Sequence, residues 1–394
     1  MRKETQKTLS QRGKTGLLCL LCFLLGGVIA LAAVWQLQGT EGRTLTAAYR
    51  LIQEQFVGEH DDQKTLDAAL EGMVESLGDR WSYYLDPQET QQVKQQRSNA
   101  YVGIGITVGT EPADGLQILR VTAGAPAEEA GLVSGEIIRG VDGMSITEEN
   151  RQEALDAIQG EEGTVVTLEV EGTDGVRRTV EVTRAQIHGI TAAWTMLDGQ
   201  VGLVTIQSFY AGTADLVKQG VNELVDQGAQ ALVFDVRNNP GGYVSELTEI
   251  LDFLLPEGDI FIERTVDGEE IVYSSDTACV DLPMAVLVNS ESYSAAEFLA
   301  AQLRESVGAV VAGEQTSGKG YSQVLFDLPN GSSIGLSTAR YYTGGGVSLI
   351  GTGLNPDPAV SLSQEDQEKL LAGTLAPQED AQLQAALQAL SGQS

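Results

Sequence analysis

The spacing of apolar residues changes along this chain, and each pattern predicts a different type of structure. Apolar residues recur at helical spacing between residues 40 and 98. Short β-branched stretches separated by glycine turns fill residues 99–186, which predicts a compact, mainly β domain. From residue 187 to 362 apolar strands alternate with helical patterns, and a polar helical tail follows at 363–394. This alternation predicts an α/β core with largely parallel strands, within a multi-domain protein.

The N-terminus combines a basic stretch with a long apolar run. Five Lys or Arg residues and one Glu lie in residues 1–15, and no charge occurs in residues 16–35. Twenty helical residues reach about 30 Å, the thickness of the hydrocarbon core of a bilayer. We therefore expect residues 1–15 to be a cytoplasmic tail and 16–37 a single-pass transmembrane anchor in the cell membrane, with the remaining chain extracytoplasmic. Small residues around Ala30 also fit a signal-peptide cleavage site, which would export the same domains.

The charge balance excludes some classes of partner and some kinds of chemistry. The 394 residues contain 24 Lys plus Arg and 55 Asp plus Glu, a net charge of −31. This charge disfavours binding to nucleic acids and to anionic lipid headgroups. Two histidines and three cysteines leave little material for a metal site or for histidine-based catalysis. Cys19 and Cys22 have CxxC spacing, but they lie in the apolar run without a partner pair, so no metal site is predicted.

One serine lies where a helix follows an apolar strand. The segment PMAVLVNSESYSAAEFLAAQL predicts a strand, a short turn and a helix that begins near Ser294. The free amides and the positive dipole end of a helix N-terminus can stabilise a developing oxyanion. Ser294 and Glu297 also form an S-x-x-E capping box, which needs no catalytic role. The segment alone fits both interpretations.

One lysine lies between two glycines at the start of a strand. Lys319 precedes the strand SQVLFDL, whereas the other four lysines after the apolar run lie in helical patterns. A desolvated lysine can replace histidine as the base of a serine nucleophile. Such a role requires burial, because an exposed lysine has a pKa of about 10.4. Gln323 could accept a hydrogen bond from the amine, or it could be an ordinary strand-edge glutamine.

A glycine-rich turn follows the strand ALVFDV. The amides of Gly241 and Gly242 could face a substrate oxyanion, although NPGG is also a common turn without a role.

A phosphate-binding loop is a competing interpretation of the segment that carries Lys319, GEQTSGKG at residues 313–320. We reject it because Gly320 replaces the Ser or Thr that binds magnesium, and because the loop leads into a strand.

Taken together, these segments resemble the carboxyl-terminal processing peptidases, also called tail-specific proteases, which use a Ser/Lys dyad and carry a PDZ domain. The stretches that carry the resemblance, in the order of the family, are LGDRWSYYLDPQE, YVGIGI, GAPAEEAGLVSGEIIRGVDG, LVFDVRNNPGGY, LVNSESYSAAEFLA, VAGEQTSGKGYSQ and GTGLNPDPAV. The resemblance implies a PDZ domain at 99–186 and an α/β protease core of the ClpP/crotonase-like type at 187–362.

The resemblance also implies a role for each matching residue. Ser294 would be the nucleophile, Lys319 the general base and Gln323 its supporting residue. The amides of Gly241, Gly242 and Ala295 would form the oxyanion hole, and no metal or organic cofactor is implied. One departure is Gln159, which stands where the family commonly has an arginine before the glycine that ends the PDZ helix.

The PDZ domain would bind a C-terminal peptide as an added strand. Its candidate residues are a carboxylate-binding backbone segment and an apolar pocket on the adjacent helix: Gly103, Ile104, Gly105 and Ile106, with Leu155 and Ile158. An alternative is that these side chains only pack the domain core.

The predicted function is therefore a membrane-anchored, extracytoplasmic serine endopeptidase of the carboxyl-terminal processing type. Its expected partners are proteins or peptides with exposed C-termini, the membrane and a second copy of the chain, with no nucleic acid. The alternative is a non-catalytic PDZ adaptor that binds exported C-terminal peptides without cutting them.

Overall fold

The computed structural model describes residues 39–109, 112, 114–122 and 124–392. The predicted basic tail and apolar anchor, residues 1–15 and 16–37, lie outside these residues. Among the helices of the described part, none is long and apolar enough to cross a membrane. The chain divides into two compact units, residues 1–84 and residues 85–394.

The described part of the first unit is helical. It contains α1 (Gly39–Gln55) and α2 (Asp62–Glu75), and it ends within the short strand β1 (Tyr83–Leu85). Asp61 caps α2 by accepting a hydrogen bond from the amide of Lys64 (3.1 Å). Helix α1 has no buried residue, so its apolar side chains are at least partly exposed.

The second unit begins with α3 (Pro87–Ser98), which is followed by the predicted PDZ domain. The elements of this domain are β2 (Ala100–Gly103), β3 (Ile106–Gly109), β4 (Leu116–Val121), α4 (Pro126–Glu129), β5 (Ile137–Val141), β6 (Met144–Ser145), α5 (Arg151–Ile158), β7 (Val165–Glu171), β8 (Arg177–Thr183) and β9 (Ala185–His188). The main sheet has the order β3-β4-β5-β7-β8, and alternating apolar positions such as Val166, Leu168 and Val170 are buried in its core. Strands β2 and β9 pair antiparallel, so the two ends of the domain lie side by side.

The core contains a mostly parallel sheet covered by helices. Its strands, in the order β10-β11-β12-β15-β16, are β10 (Ala192–Leu197), β11 (Val201–Ile206), β12 (Ala231–Asp235), β15 (Met284–Val288) and β16 (Val310–Gly313). The helices are α6 (Thr213–Asp226), α7 (Val244–Leu254) and α8 (Ala295–Val307). Every residue of β12 and β15 is buried, which explains the apolar sequence of β15 and of the first four residues of β12.

A second, antiparallel sheet contains β13 (Gly258–Thr265), β14 (Glu270–Ser275), β17 (Tyr321–Asp327) and β18 (Ser333–Tyr342). Strand β18 pairs with β17 and with β13, and β13 pairs with β14. The loop between β16 and β17, residues 314–320, connects the two sheets and carries Lys319. Because β12, β15 and β16 are parallel neighbours, the loops that follow them start at one edge of the first sheet.

The C-terminal tail is more closely packed than its polar sequence suggests. It contains α9 (Gln364–Leu371) and α10 (Ala381–Ser391). Helix α10 buries Leu383, Ala386 and Leu390 in one apolar cluster with residues of β12, β15 and β16. The tail is therefore part of the hydrophobic core.

Candidate active site

Ser294 occupies a strained position immediately before α8. Its φ of 60° and ψ of −125° lie in a region that residues other than glycine rarely adopt. The preceding turn is fixed by Ser292, whose hydroxyl donates to the carbonyl oxygen of Val236 (2.7 Å) and accepts from the amide of Asn289 (3.0 Å). The first amides of α8 have no acceptor within the helix and therefore point towards the region around Ser294.

Glu297 connects the serine segment to the lysine loop. Its Oε1 accepts hydrogen bonds from the amides of Ser294 (3.1 Å) and Lys319 (2.7 Å). Its Oε2 accepts from the Thr316 hydroxyl (2.7 Å) and the Gly318 amide (3.0 Å). The side chain is completely buried, and this burial raises its pKa, whereas the four hydrogen bonds favour the carboxylate. The contact with Ser294 is the one that the capping box predicts, and the contacts with the lysine loop were not predicted.

Two tyrosines contact Lys319 beside Ser294. The Lys319 amine lies 5.9 Å from the centre of the Tyr293 ring, in cation–π geometry. The Tyr341 hydroxyl donates to the carbonyl oxygen of Lys319 and also interacts with the Ser294 side chain. Complete burial raises the pKa of Tyr341 well above its ordinary value. Lys319 itself is half-buried.

Gln323 makes contacts within the antiparallel sheet. Its Nε2 donates to the carbonyl oxygen of Tyr321 (2.8 Å) and to the Ser337 hydroxyl (3.3 Å), next to a register shift between β17 and β18. These contacts fit the strand-edge interpretation. The support of Lys319 by Gln323 stays a prediction.

The turn at 238–242 packs directly against Ser294. Gly241 has a φ of +84°, and a Cβ placed on it would lie 2.8 Å from the Ser294 Cβ and 3.1 Å from the Ala295 nitrogen. Only glycine therefore fits at this approach. The Gly241 amide donates to Oδ1 of Asn239 (2.8 Å), so it already has an acceptor in this arrangement. Asn239 was not predicted as a site residue.

The PDZ candidates form a separate site. The carbonyl oxygens of Ile104 and Gly105 accept from the amides of Ala127 (2.8 Å) and Thr122 (2.9 Å), which fixes this segment beside β3. Strand β3 lies at the edge of the sheet, where a peptide can add as a further strand. Ile104 and Ile158 are buried in the domain core, Gly103 pairs with Ala185, and Ile106 and Leu155 are half-buried.

An arginine is present at the C-terminal end of α5, although Gln159 stands at the position where the family commonly has one. Arg184, which follows β8, donates from Nη2 to the carbonyl oxygen of Ala157 (2.6 Å) and from Nε to that of Ile158 (3.1 Å). Its side chain lies against Gly160, where a Cβ would come within 2.8 Å of Nε. Arg184 therefore ties the last turn of α5 to the strand that leads back to the core.

Comparisons with known proteins identify the family. The model of peptidase family S41 matches residues 200–360, a PDZ domain model matches residues 117–172, and the model of the activating protease CtpB N-terminal domain matches residues 34–90. The carboxy-terminal processing protease CtpA of Bacillus subtilis is 31% identical over 321 residues, which cover 81% of this chain and 68% of the relative. The chloroplastic C-terminal processing peptidase of Tetradesmus obliquus is 31% identical over 308 residues, covering 73% of this chain and 66% of the relative.

Among solved structures, the photosystem II D1 C-terminal processing protease is 27% identical, with a TM-score of 0.48 and coverage of 88% of this chain and 93% of that one. This chain spans about two thirds of the length of the curated relatives that it matches. It belongs to the carboxy-terminal processing proteases of peptidase family S41, which are serine-type peptidases with a PDZ domain.

Proposed function

We propose that this protein is a membrane-anchored endopeptidase that binds exposed C-termini with its PDZ domain and cleaves peptide bonds with Ser294 and Lys319. The observation that carries this proposal is the shared hydrogen-bond acceptor at Glu297. One buried oxygen, Oε1, accepts from the backbone amides of both Ser294 and Lys319, so their relative position is defined by a single atom. A nucleophile and its base require such fixed geometry.

The proposed reaction begins with proton transfer from the Ser294 hydroxyl to a neutral Lys319 amine. The serine oxygen attacks the peptide carbonyl, and the tetrahedral intermediate collapses as the Lys319 ammonium returns its proton to the leaving amine. Water then attacks the acyl-enzyme with Lys319 again as the base, and the release of the carboxylic acid product restores Ser294. Gln323 would orient the amine during both steps.

Backbone amides would stabilise the oxyanion of each tetrahedral intermediate. The Ala295 amide begins helix α8, where the helix dipole favours negative charge, and it lies beside the turn that carries Gly241 and Gly242. The Gly241 amide could contribute only after Asn239 Oδ1 releases it. Movement of one asparagine side chain would thus complete the oxyanion hole.

The PDZ domain would supply the recognition step. The open edge of β3 is suited to an added peptide strand, and Gly103, Ile104, Gly105 and Ile106 would receive the terminal carboxylate. The half-buried Leu155 would contact the last side chain, and the buried Ile158 would support it from the core. Proteins or peptides with apolar C-terminal residues are the proposed substrates.

The proposed location follows from the N-terminal sequence. The basic residues 1–15 and the uncharged run 16–35 support a single-pass cell-membrane anchor with an extracytoplasmic catalytic part. The exposed apolar side chains of α1, such as Leu45, Leu51 and Ile52, support self-association of the chain.

The test uses the full-length chain in detergent with an unfolded protein and with peptides that end in apolar residues. We expect Ser294→Ala and Lys319→Ala each to abolish cleavage while the protein stays folded. Lys369→Ala is the matched control, because the Lys369 amine pairs with Glu365 and Asp366 on α9. Cleavage by either site variant would reject the dyad. Tight peptide binding without cleavage by the wild type would favour the adaptor alternative.

A further inference from the structure

Arg237 connects the turn beside Ser294 to the C-terminal tail. It lies two residues after β12, and only 3% of its side chain is exposed. Its Nε and Nη2 donate to the two oxygens of Asp235 (2.9 and 2.6 Å). Its Nη1 donates to Asp380 Oδ1 (3.1 Å) and Gln382 Oε1 (3.0 Å), and Nη2 lies 2.8 Å from Asp380 Oδ2. The guanidinium thus makes four side-chain hydrogen bonds and a further ion-pair contact with Asp380.

The tail holds these two acceptors rigidly. Asp380 is the N-cap of α10 and accepts from the amides of Gln382 and Leu383 (3.1 Å each). Gln382 Nε2 donates to the carbonyl oxygen of Val360 (2.8 Å). Asp380 and Gln382 are buried, and the apolar face of α10 packs on the parallel sheet beside them. The position of Arg237 is therefore fixed from the tail as well as from β12.

Contacts of the 238–242 turn link the position of Arg237 to that of Ser294. The residue after Arg237, Asn238, has a φ of 57°, and its amide donates to Asn289 Oδ1 (2.9 Å). The Tyr293 amide donates to the carbonyl oxygen of Asn239 (3.2 Å), one residue before Ser294. A displacement of Arg237 would therefore move the turn that packs against Ser294 and Ala295.

Charge makes the arrangement sensitive to the loss of one partner. Burial alone would lower the pKa of Arg237, but attraction to Asp235 and Asp380 outweighs burial and raises it. The guanidinium therefore stays charged and needs acceptors on every side. Without the Asp380 carboxylate, buried N–H groups of Arg237 would lose their partners, which favours a shift of the arginine and its turn.

The geometry points to Asp380 as a positioning residue for peptide cleavage. Through Arg237 it holds the 238–242 turn in contact with Ser294 and Ala295, and Gln382 assists it. The inference rests on the proposed function. Helix α10, which Asp380 caps, accordingly helps to position the active site, although its sequence carries no catalytic motif.

The test is Asp380→Asn in the full-length protein. Asparagine is a good N-cap, so α10 should persist, whereas the charged acceptor of Arg237 is lost. We expect kcat to fall at least about tenfold with KM changed less than about twofold, because oxyanion contacts form in the transition state. A peptide aldehyde forms a tetrahedral hemiacetal with the serine. Its affinity should fall by the same factor as kcat/KM.

Two further variants separate positioning from simple stability. Gln382→Met removes one acceptor of Arg237 and should also lower kcat, but by a smaller factor than Asp380→Asn. Ser363→Ala removes the exposed N-cap of α9 in the same tail and should leave kcat unchanged. Circular dichroism at the assay temperature measures the folded fraction of each variant.

A folded Asp380→Asn protein with kcat and aldehyde affinity within twofold of wild type would overturn the inference alone. A loss of kcat that only matches the unfolded fraction would overturn it as well. A wild-type protein that cleaves no peptide would instead refute the proposed function, and the inference with it.

Discussion

The Glu297 carboxylate lies 2.7 Å from the amide nitrogen of Lys319, although 22 residues separate them in the sequence. The same oxygen accepts from the Ser294 amide, so the serine turn and the lysine loop share one buried acceptor. The relative position of the two proposed catalytic residues therefore depends on a side chain that need not touch the substrate.

Replacing this carboxylate should reduce activity and stability together. Glu297→Gln preserves the size of the side chain but turns an NH₂ group towards N–H or O–H donors. We expect a loss of roughly 1–3 kcal/mol in the free energy of unfolding and a fall in kcat of at least about tenfold. Urea denaturation and steady-state kinetics measure the two effects. Glu257→Gln, at an exposed glutamate, is the control and should change neither.

The same group predicts opposite pH dependences for stability and activity. Because burial raises the pKa of Glu297, the folded protein binds this proton more tightly than the unfolded chain. Its contribution to the free energy of unfolding is therefore present below the ordinary glutamate pKa and is lost as the pH rises through the raised pKa. Activity should fall as the pH drops below that raised pKa, because protonation removes an acceptor from the Ser294 and Lys319 segments.

Unfolding and cleavage should be measured from about pH 4, near the ordinary glutamate pKa, to neutral pH. As the pH rises, the stability of the wild type should lose the contribution of Glu297 and its activity should increase. In the Glu297→Gln variant, the part of each pH dependence that Glu297 causes should be absent. An unchanged pH slope of stability in the variant would show that another group controls it.

A methyl group at Gly241 should disable the active site while the fold survives. In Gly241→Ala the new Cβ would collide with the Ser294 Cβ, so the turn or the serine must move. We expect a loss of about 100-fold or more in kcat, comparable to the loss of an oxyanion donor. Gly346→Ala is matched in backbone strain, since φ is +83° there compared with +84° at Gly241, but its Cβ meets open space. Equal activities of the two variants would contradict the proposed role of this turn.

A methyl group at Gly105 should affect recognition without affecting the nucleophile. Gly105 has a φ of +82°, and a Cβ there would overlap the Cβ of Ala125. We expect Gly105→Ala to weaken the binding of C-terminal peptides at least about tenfold, while labelling of Ser294 by a fluorophosphonate continues at the wild-type rate. Gly143→Ala is the control, because φ at Gly143 is +81° and a Cβ there meets open space. This variant should bind peptide normally. Reduced labelling of Ser294 in Gly105→Ala would show that the two sites are not independent.

Much of the fold could be predicted because its signals are local. The apolar sequences of β15 and of the first four residues of β12 predict buried parallel strands. The family comparisons confirm the α/β protease core and the PDZ domain. Ser294 could be placed at a helix start because a strand, a polar turn and an amphipathic pattern follow one another in the sequence. The order of these motifs also led to the family.

The connections within the site could not be predicted because their partners are distant in the sequence. Arg237 and Asp380 are 143 residues apart, and no local pattern relates them. Tyr341 lies on β18, and nothing in its neighbourhood indicates that its hydroxyl reaches Lys319. The tail was predicted as a polar helix because glutamines separate the few apolar residues of α10, yet those residues form a buried cluster with β12, β15 and β16.

The chain enters and leaves the PDZ domain at neighbouring positions. Asn99 and Gly189 flank the β2–β9 pair, and they exchange hydrogen bonds of 2.7 and 2.8 Å. A short linker in place of residues 100–188 could therefore rejoin the protease without altering its strands. Such an attachment would allow the PDZ domain to be exchanged for another domain while the protease core stays intact.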